Sequence, residues 1–85
     1  MHYVYVLHSS KDGKFYTGVT NDLKKRFAEH EKGYVRSTKH RRPLTLIYYE
    51  ACLNEEDAAR RERYLKSGMG KRYLKQRLTE GLKEL

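Results

Sequence analysis

The sequence predicts an α/β fold of the α+β sandwich kind: a three-stranded antiparallel sheet flanked by helices, in the order β-β-α-β-α-α. Three observations carry that prediction. Residues 2 to 8 are β-branched and aromatic with a period of two, the pattern of a strand. Asp12-Gly13 separates that run from a second one, as a hairpin turn requires. Farther on, apolar residues recur at spacings of three and four behind a capping asparagine, the pattern of helices. A sheet covered by helices is the smallest layered arrangement that buries all these faces.

Taken in order, the first strand covers residues 2 to 8 and turns through Ser9-Ser10-Lys11-Asp12-Gly13 into a second strand, Lys14 to Val19. Asn21 or Asp22 caps the first helix, Leu23 and Phe27 form its apolar stripe, and Gly33 stops it. Tyr34 to Arg42 is basic and without period, so it reads as a loop. Behind Pro43, Leu44 to Glu50 reads as a third strand. Asn54 caps the next helix, whose first turn holds Glu55, Glu56 and Asp57, where the helix dipole favours negative charge. Ala58, Glu62 and Leu65 share one of its faces. Ser67-Gly68-Met69-Gly70 reads as a break, and no strand precedes these glycines to make them a nucleotide-binding fingerprint. A last helix from about Lys71 carries Leu74, Leu78 and Leu82 as its packing stripe.

Eighty-five residues make a single domain, 1–85, with a small core that buries roughly 60–65% of the unfolded surface. Nineteen Lys and Arg against 11 Asp and Glu leave a net charge of +8, which favours polyanionic partners over a charge kept only for solubility. Cys52 is the only cysteine, so a disulfide framework and a cysteine zinc site are excluded, and a cytoplasmic setting is expected. No apolar run approaches the roughly 20 residues of a membrane span, and strand-like sequence follows Met1 directly, so neither membrane nor signal peptide is expected. No obligate protein partner is evident.

Several polar residues fall where a small protein needs packing. Taken singly, Tyr5 and Tyr16 read as ordinary strand packing, but as a pair on adjacent antiparallel strands they would bring two hydroxyls to one mouth of the sheet. A tyrosine has a pKa of about 10 and needs a neighbouring cation before it can take a proton from water. Arg26 and His30, four residues apart, share a helix face at the edge of the apolar stripe. The arginine offers a planar fork for a phosphate, and the histidine offers proton transfer or a hydrogen bond. Glu62 lies among Arg60, Arg61, Arg63 and Lys66: an ordinary salt bridge, or a single carboxylate for Mg²⁺ completed by phosphate and water. Lys39-His40-Arg41-Arg42 is either a phosphate contact or a solvated loop, and Lys66 extends the basic surface.

Together these residues resemble the GIY-YIG nuclease superfamily, and most closely its small stand-alone bacterial members. Tyr3-Val4-Tyr5 stands as the first motif and Tyr16-Thr17-Gly18 as the second, with ten residues between their tyrosines. Thr20-Asn21-Asp22-Leu23, Arg26, His30 and Arg61-Glu62-Arg63-Tyr64-Leu65-Lys66 follow in the family's order. Tyr3 replaces the first motif's glycine and Thr17 the second motif's aliphatic; both changes spare the hydroxyls. The resemblance implies a metal-dependent endonuclease hydrolysing phosphodiester bonds in DNA, in repair or processing, with Mg²⁺ or another divalent cation such as Mn²⁺. It implies Tyr5 and Tyr16 as the residues that hold or deprotonate water, without saying which is the base. Arg26 would stabilise the phosphate, His30 would lie near the reaction, and Glu62 would bind the metal. His40 matches a histidine of some members only. Related nucleases often carry a separate specificity domain, and none is expected here. The rival reading is a non-catalytic nucleic-acid-binding module on the same fold; a weaker one is an adaptor for an acidic protein.

Overall fold

The computed structural model describes residues 1–85. β1 (His2–Ser9) is the middle strand of a three-stranded antiparallel sheet, between β2 (Phe15–Thr20) and β3 (Leu44–Cys52). The β1–β2 hairpin closes on Ser9, whose hydroxyl accepts from the Lys11 and Asp12 amides at 3.1 and 3.2 Å. Gly13 takes φ 71°, which a residue with a Cβ avoids. The register sets Tyr5 opposite Gly18 and Leu7 opposite Tyr16. On the other side of β1 a bulge interrupts the pairing: Val6 faces Tyr48, Leu7 faces Leu46, and Ile47 is the extra residue.

Alternation along β1 assigns its side chains to two layers. Val4 and Val6 join Ala58, Leu65 and Leu74 in a core beneath α2 (Glu55–Lys66) and α3 (Gly68–Arg77). Tyr5 and Leu7 face the opposite way, with Leu44, against Leu23 and Phe27 of α1 (Leu23–Glu31). The middle strand is therefore covered on both sides, and Val4 through Leu7 are all buried.

The caps follow side-chain chemistry. Of the two expected N-caps for α1, Asp22 serves, accepting from the Lys25 amide at 3.1 Å, and Gly33 follows the helix at φ 78°. Asn54 caps α2 through the Glu56 and Asp57 amides. The expected break at 67–70 is shorter than the sequence implies. Ser67 alone separates α2 from α3, and its hydroxyl accepts from the Gly70 amide at 3.1 Å. Gly70 lies inside α3 because a Cβ there would run into the Tyr64 carbonyl and the Leu65 backbone; its role is close helix approach, not termination. The leucine stripe divides as well: Leu74 is buried, while Leu78 interrupts the helix before a single turn, α4 (Thr79–Leu82). The expected loop 34–42 contains a 3₁₀ turn, Lys39–Arg41, and anchors itself through buried Val35 and Thr38.

A polar lock ties α2 to the sheet and to α3. Arg61 donates from Nε and Nη2 to the two Glu50 oxygens at 2.7 and 3.2 Å, and its guanidinium lies 5.1 Å from the ring centres of both Tyr64 and Tyr73. The Tyr48 hydroxyl donates to Glu50 at 2.7 Å, and burial first, then that carboxylate, pushes its pKa well up. Of the charges crowded around Glu62 in sequence, Arg61 is thus committed to β3.

Candidate active site

The two motif tyrosines share the sheet face beneath α1 because their strands pair Tyr5 with Gly18 and Leu7 with Tyr16. Gly18 leaves the room that Tyr5 fills: a Cβ on it would stand 2.5 Å from the Tyr5 hydroxyl oxygen. The Tyr5 side chain thus lies across β2, an edge strand of the sheet. His30, in the last turn of α1, closes the group. Its ring centre is 5.5 Å from that of Tyr5 and 5.2 Å from that of Tyr16, and the two tyrosine rings are 6.4 Å apart.

The sequence places His30 at a helix edge, but the structure buries it completely, and two hydrogen bonds explain how an imidazole tolerates that position. Nε2 meets the Tyr5 hydroxyl at 2.8 Å and Nδ1 meets the Thr38 hydroxyl at 2.7 Å, and Tyr5 and Thr38 are as enclosed as the histidine. Burial, with the Arg26 charge adding to it, lowers the His30 pKa to about 4, so the ring is neutral at pH 7. A neutral imidazole donates from one nitrogen and accepts at the other. In either tautomer one of the two hydroxyls donates to the ring and the other accepts from it, so both His30 nitrogens are satisfied. Nothing in the sequence marks Thr38, a threonine in an aperiodic basic loop; only the fold brings it to a helix eight residues earlier.

Arg26 lies one turn before His30 on α1 and stays half-exposed, bound to Glu29 at 3.2 Å. Its guanidinium stands beside the Tyr5 hydroxyl, which is the main reason its own pKa rises. The Tyr5 pKa is raised too, chiefly by burial; Arg26 opposes that shift, and the neighbouring Tyr16 and Glu62 reinforce it. Glu62, on α2, stands within electrostatic reach of the Tyr5 hydroxyl. Glu62 is partly enclosed, and its one ion-pair partner is Lys66, four residues on, at 3.3 Å. No group of three or more His, Cys, Asp or Glu side chains converges to hold a metal, so Glu62 stands as a single carboxylate. Glu62 fits the kind of site in which one carboxylate is completed by phosphate and water, since Lys66 is largely exposed and free to swing aside.

Tyr5, Tyr16, Arg26 and His30 therefore meet at one mouth of the sheet, with Glu62 within electrostatic reach of Tyr5. The basic loop does not join them in the same way. Arg41 donates to Asp12 at 2.8 Å and to the Phe15 carbonyl at 3.4 Å, which draws the Asp12 pKa far below the carboxylate range. Arg42 donates to the Lys39 and Glu31 carbonyls at 3.1 and 3.3 Å. Both guanidiniums hold the loop in place, while Lys39 and His40 remain exposed. No helix in the structure is long and apolar enough to cross a membrane.

Residues 1–75 match the model of the GIY-YIG catalytic domain. The chain is 43% identical over 67 residues to a UPF0213 protein of Clostridium perfringens, covering 78% of this chain and 71% of that one. Against a UPF0213 protein of Staphylococcus saprophyticus it is 37% identical over 75 residues, covering 87% and 90%. The solution NMR structure of the UPF0213 protein BH0048 from Bacillus halodurans superposes with a TM-score of 0.55 at 37% identity, over 86% of this chain and 80% of that one. That neighbour shares the three-stranded antiparallel sheet packed with helices.

Proposed function

The chain belongs to the GIY-YIG family of nuclease-type catalytic domains, and on that premise we propose that it is a divalent-metal-dependent endonuclease hydrolysing phosphodiester bonds in DNA. The observation that supports this best is the meeting of Tyr5, Tyr16, Arg26 and His30 beside Gly18, with Glu62 within electrostatic reach of Tyr5, in a chain of net charge +8. A fold that needed only packing would not gather two hydroxyls, a guanidinium and an imidazole at one point with a carboxylate in reach.

The residues divide the work according to their enclosure. Arg26 keeps part of its fork in solvent, where it binds the scissile phosphate and stabilises charge growing on its oxygens. Tyr16 is half-buried, and its hydroxyl has no hydrogen-bond partner within the fold, so it is the tyrosine that holds and deprotonates the attacking water. Tyr5 is sealed and bound to His30; it supports Arg26 from behind and orders the mouth. Glu62 would hold Mg²⁺ or Mn²⁺, which when bound offsets charge on the phosphate and the leaving oxygen. DNA repair or processing in the cytoplasm is the setting we infer.

The test is nicking of supercoiled plasmid DNA with added Mg²⁺. Nicking by the parent, abolished by Glu62→Gln with DNA affinity preserved, is the expected result. Equal nicking by both proteins removes Glu62 from the mechanism. DNA binding with no nicking under any divalent cation favours the non-catalytic binding module.

A further inference from the structure

Several of the cations that the sequence offers for nucleic acid already have partners within the fold. Arg41 serves Asp12, Arg42 serves two carbonyls, Arg61 serves Glu50 and Lys66 serves Glu62. Lys14, Lys71 and Lys75 have no carboxylate within ion-pair distance. These three are not scattered. With Phe15, Asp12 and Arg41 they line one depression of about 550 Å³ between the tip of the β1–β2 hairpin and α3. Four cations there face a single carboxylate, and Arg41 already holds that carboxylate. Phe15 and Lys75 also line a second depression of about 640 Å³ that extends the trough toward α4. Unneutralised like charges held together cost free energy unless an anion completes them.

We propose that this trough, Lys14 with Lys71 and Lys75, binds the DNA phosphate backbone to one side of the cut. The proposal rests on the nuclease reading and specifies where the substrate lies. Lys14 immediately precedes β2, the strand that carries Tyr16 and Gly18. Gly18, beside the Tyr5 hydroxyl, lies four positions farther on, and at about 3.3 Å per strand residue that is roughly 13 Å. A DNA backbone lying along the β2 edge would meet the cut site at one end and the lysines at the other. α3 contributes its cations without an acid of its own, since its sequence from Gly68 to Arg77 holds none.

The experiment is equilibrium binding of a labelled DNA duplex across a salt series, without divalent cation, for the parent, for Lys14→Gln/Lys71→Gln/Lys75→Gln, and for Lys24→Gln. Lys24 lines a different depression, shared with Tyr3 and Tyr49, and serves as control. Each lost phosphate contact should flatten the slope of log K against log salt by about 0.9, so the triple variant should lose up to about 2.7 while the control keeps the parent slope. The three positions are exposed, and single variants carry the same test if the triple one is poorly folded. A triple variant with the parent's slope and affinity overturns the trough even if the parent nicks DNA. A flattened slope with no nicking by the parent upholds the trough and removes the catalytic reading. A parent that does not bind DNA overturns both.

Discussion

The Tyr5 hydroxyl and the His30 Nε2 lie 2.8 Å apart, with neither residue more than 1% exposed. His30 is therefore a structural element of the site, bonded on its inner side and bounded on the other by Thr38. Its burial has a consequence that acid should reveal. The folded-state pKa of about 4 lies below the 6.5 of an exposed histidine, so the unfolded chain binds the proton more tightly. Stability from this group is complete above pH 6.5 and drains away as pH falls toward 4.

Urea unfolding of the parent and of His30→Gln at pH 7, 5.5 and 4.5 should measure that drain. The shift corresponds to about 3 kcal/mol over the whole window. The advantage of the parent over the variant should shrink steadily on acidification. The Asp12 carboxyl is also displaced, but downward, so its contribution is lost only below about pH 4 and leaves this window clear. A parent–variant difference that is constant from pH 7 to 4.5 would mean that His30 is not held neutral by the fold.

The two tyrosines should separate by assay. Tyr16→Phe removes an unbonded hydroxyl and should leave stability within about 0.5 kcal/mol while lowering nicking about 10²–10⁴-fold. Tyr5→Phe strips a buried partner from His30 and should cost about 1–3 kcal/mol in unfolding free energy. Full nicking by Tyr16→Phe, with a folded but inactive Tyr5→Phe, would reverse the division of labour.

The neighbouring glycines of α3 should respond in opposite directions. A Cβ at Gly68 meets nothing, and alanine there should stabilise by about 0.5–1 kcal/mol through higher helix propensity. A Cβ at Gly70 meets the Tyr64 carbonyl and the Leu65 backbone, so Gly70→Ala should destabilise by about 1–3 kcal/mol by forcing α3 off α2. Thermal unfolding of the two variants decides this, and equal midpoints would mean that the α2–α3 contact is looser than it stands here.

Much of the fold is legible in sequence because its signals are local. Period two in β1, Asp12-Gly13 at the hairpin tip, and Asn54 before three acidic residues each act within a few residues of chain. The errors lie where two elements touch. Gly68 and Gly70 read alike in a sequence, and only the crossing of α2 over α3 makes one of them open and the other a close contact. Thr38, Glu50 and Gly18 acquire their partners from segments 8, 11 and 13 residues away, across turns whose geometry no local pattern encodes.

By itself the sequence determined the strand and helix order, the net positive charge and the ordered set of polar residues from Tyr5 to Glu62, because residue type and spacing are properties of the chain. Tertiary structure alone decided how those residues are spent. It sealed His30 and Tyr5 away from water, committed Arg41, Arg42 and Arg61 to internal partners, and left Lys14, Lys71 and Lys75 together beside one carboxylate that Arg41 already holds. The physical reason is that burial and charge pairing depend on what is nearby in space. For an arginine or a lysine in a basic chain, that neighbourhood separates a structural clasp from a site for phosphate.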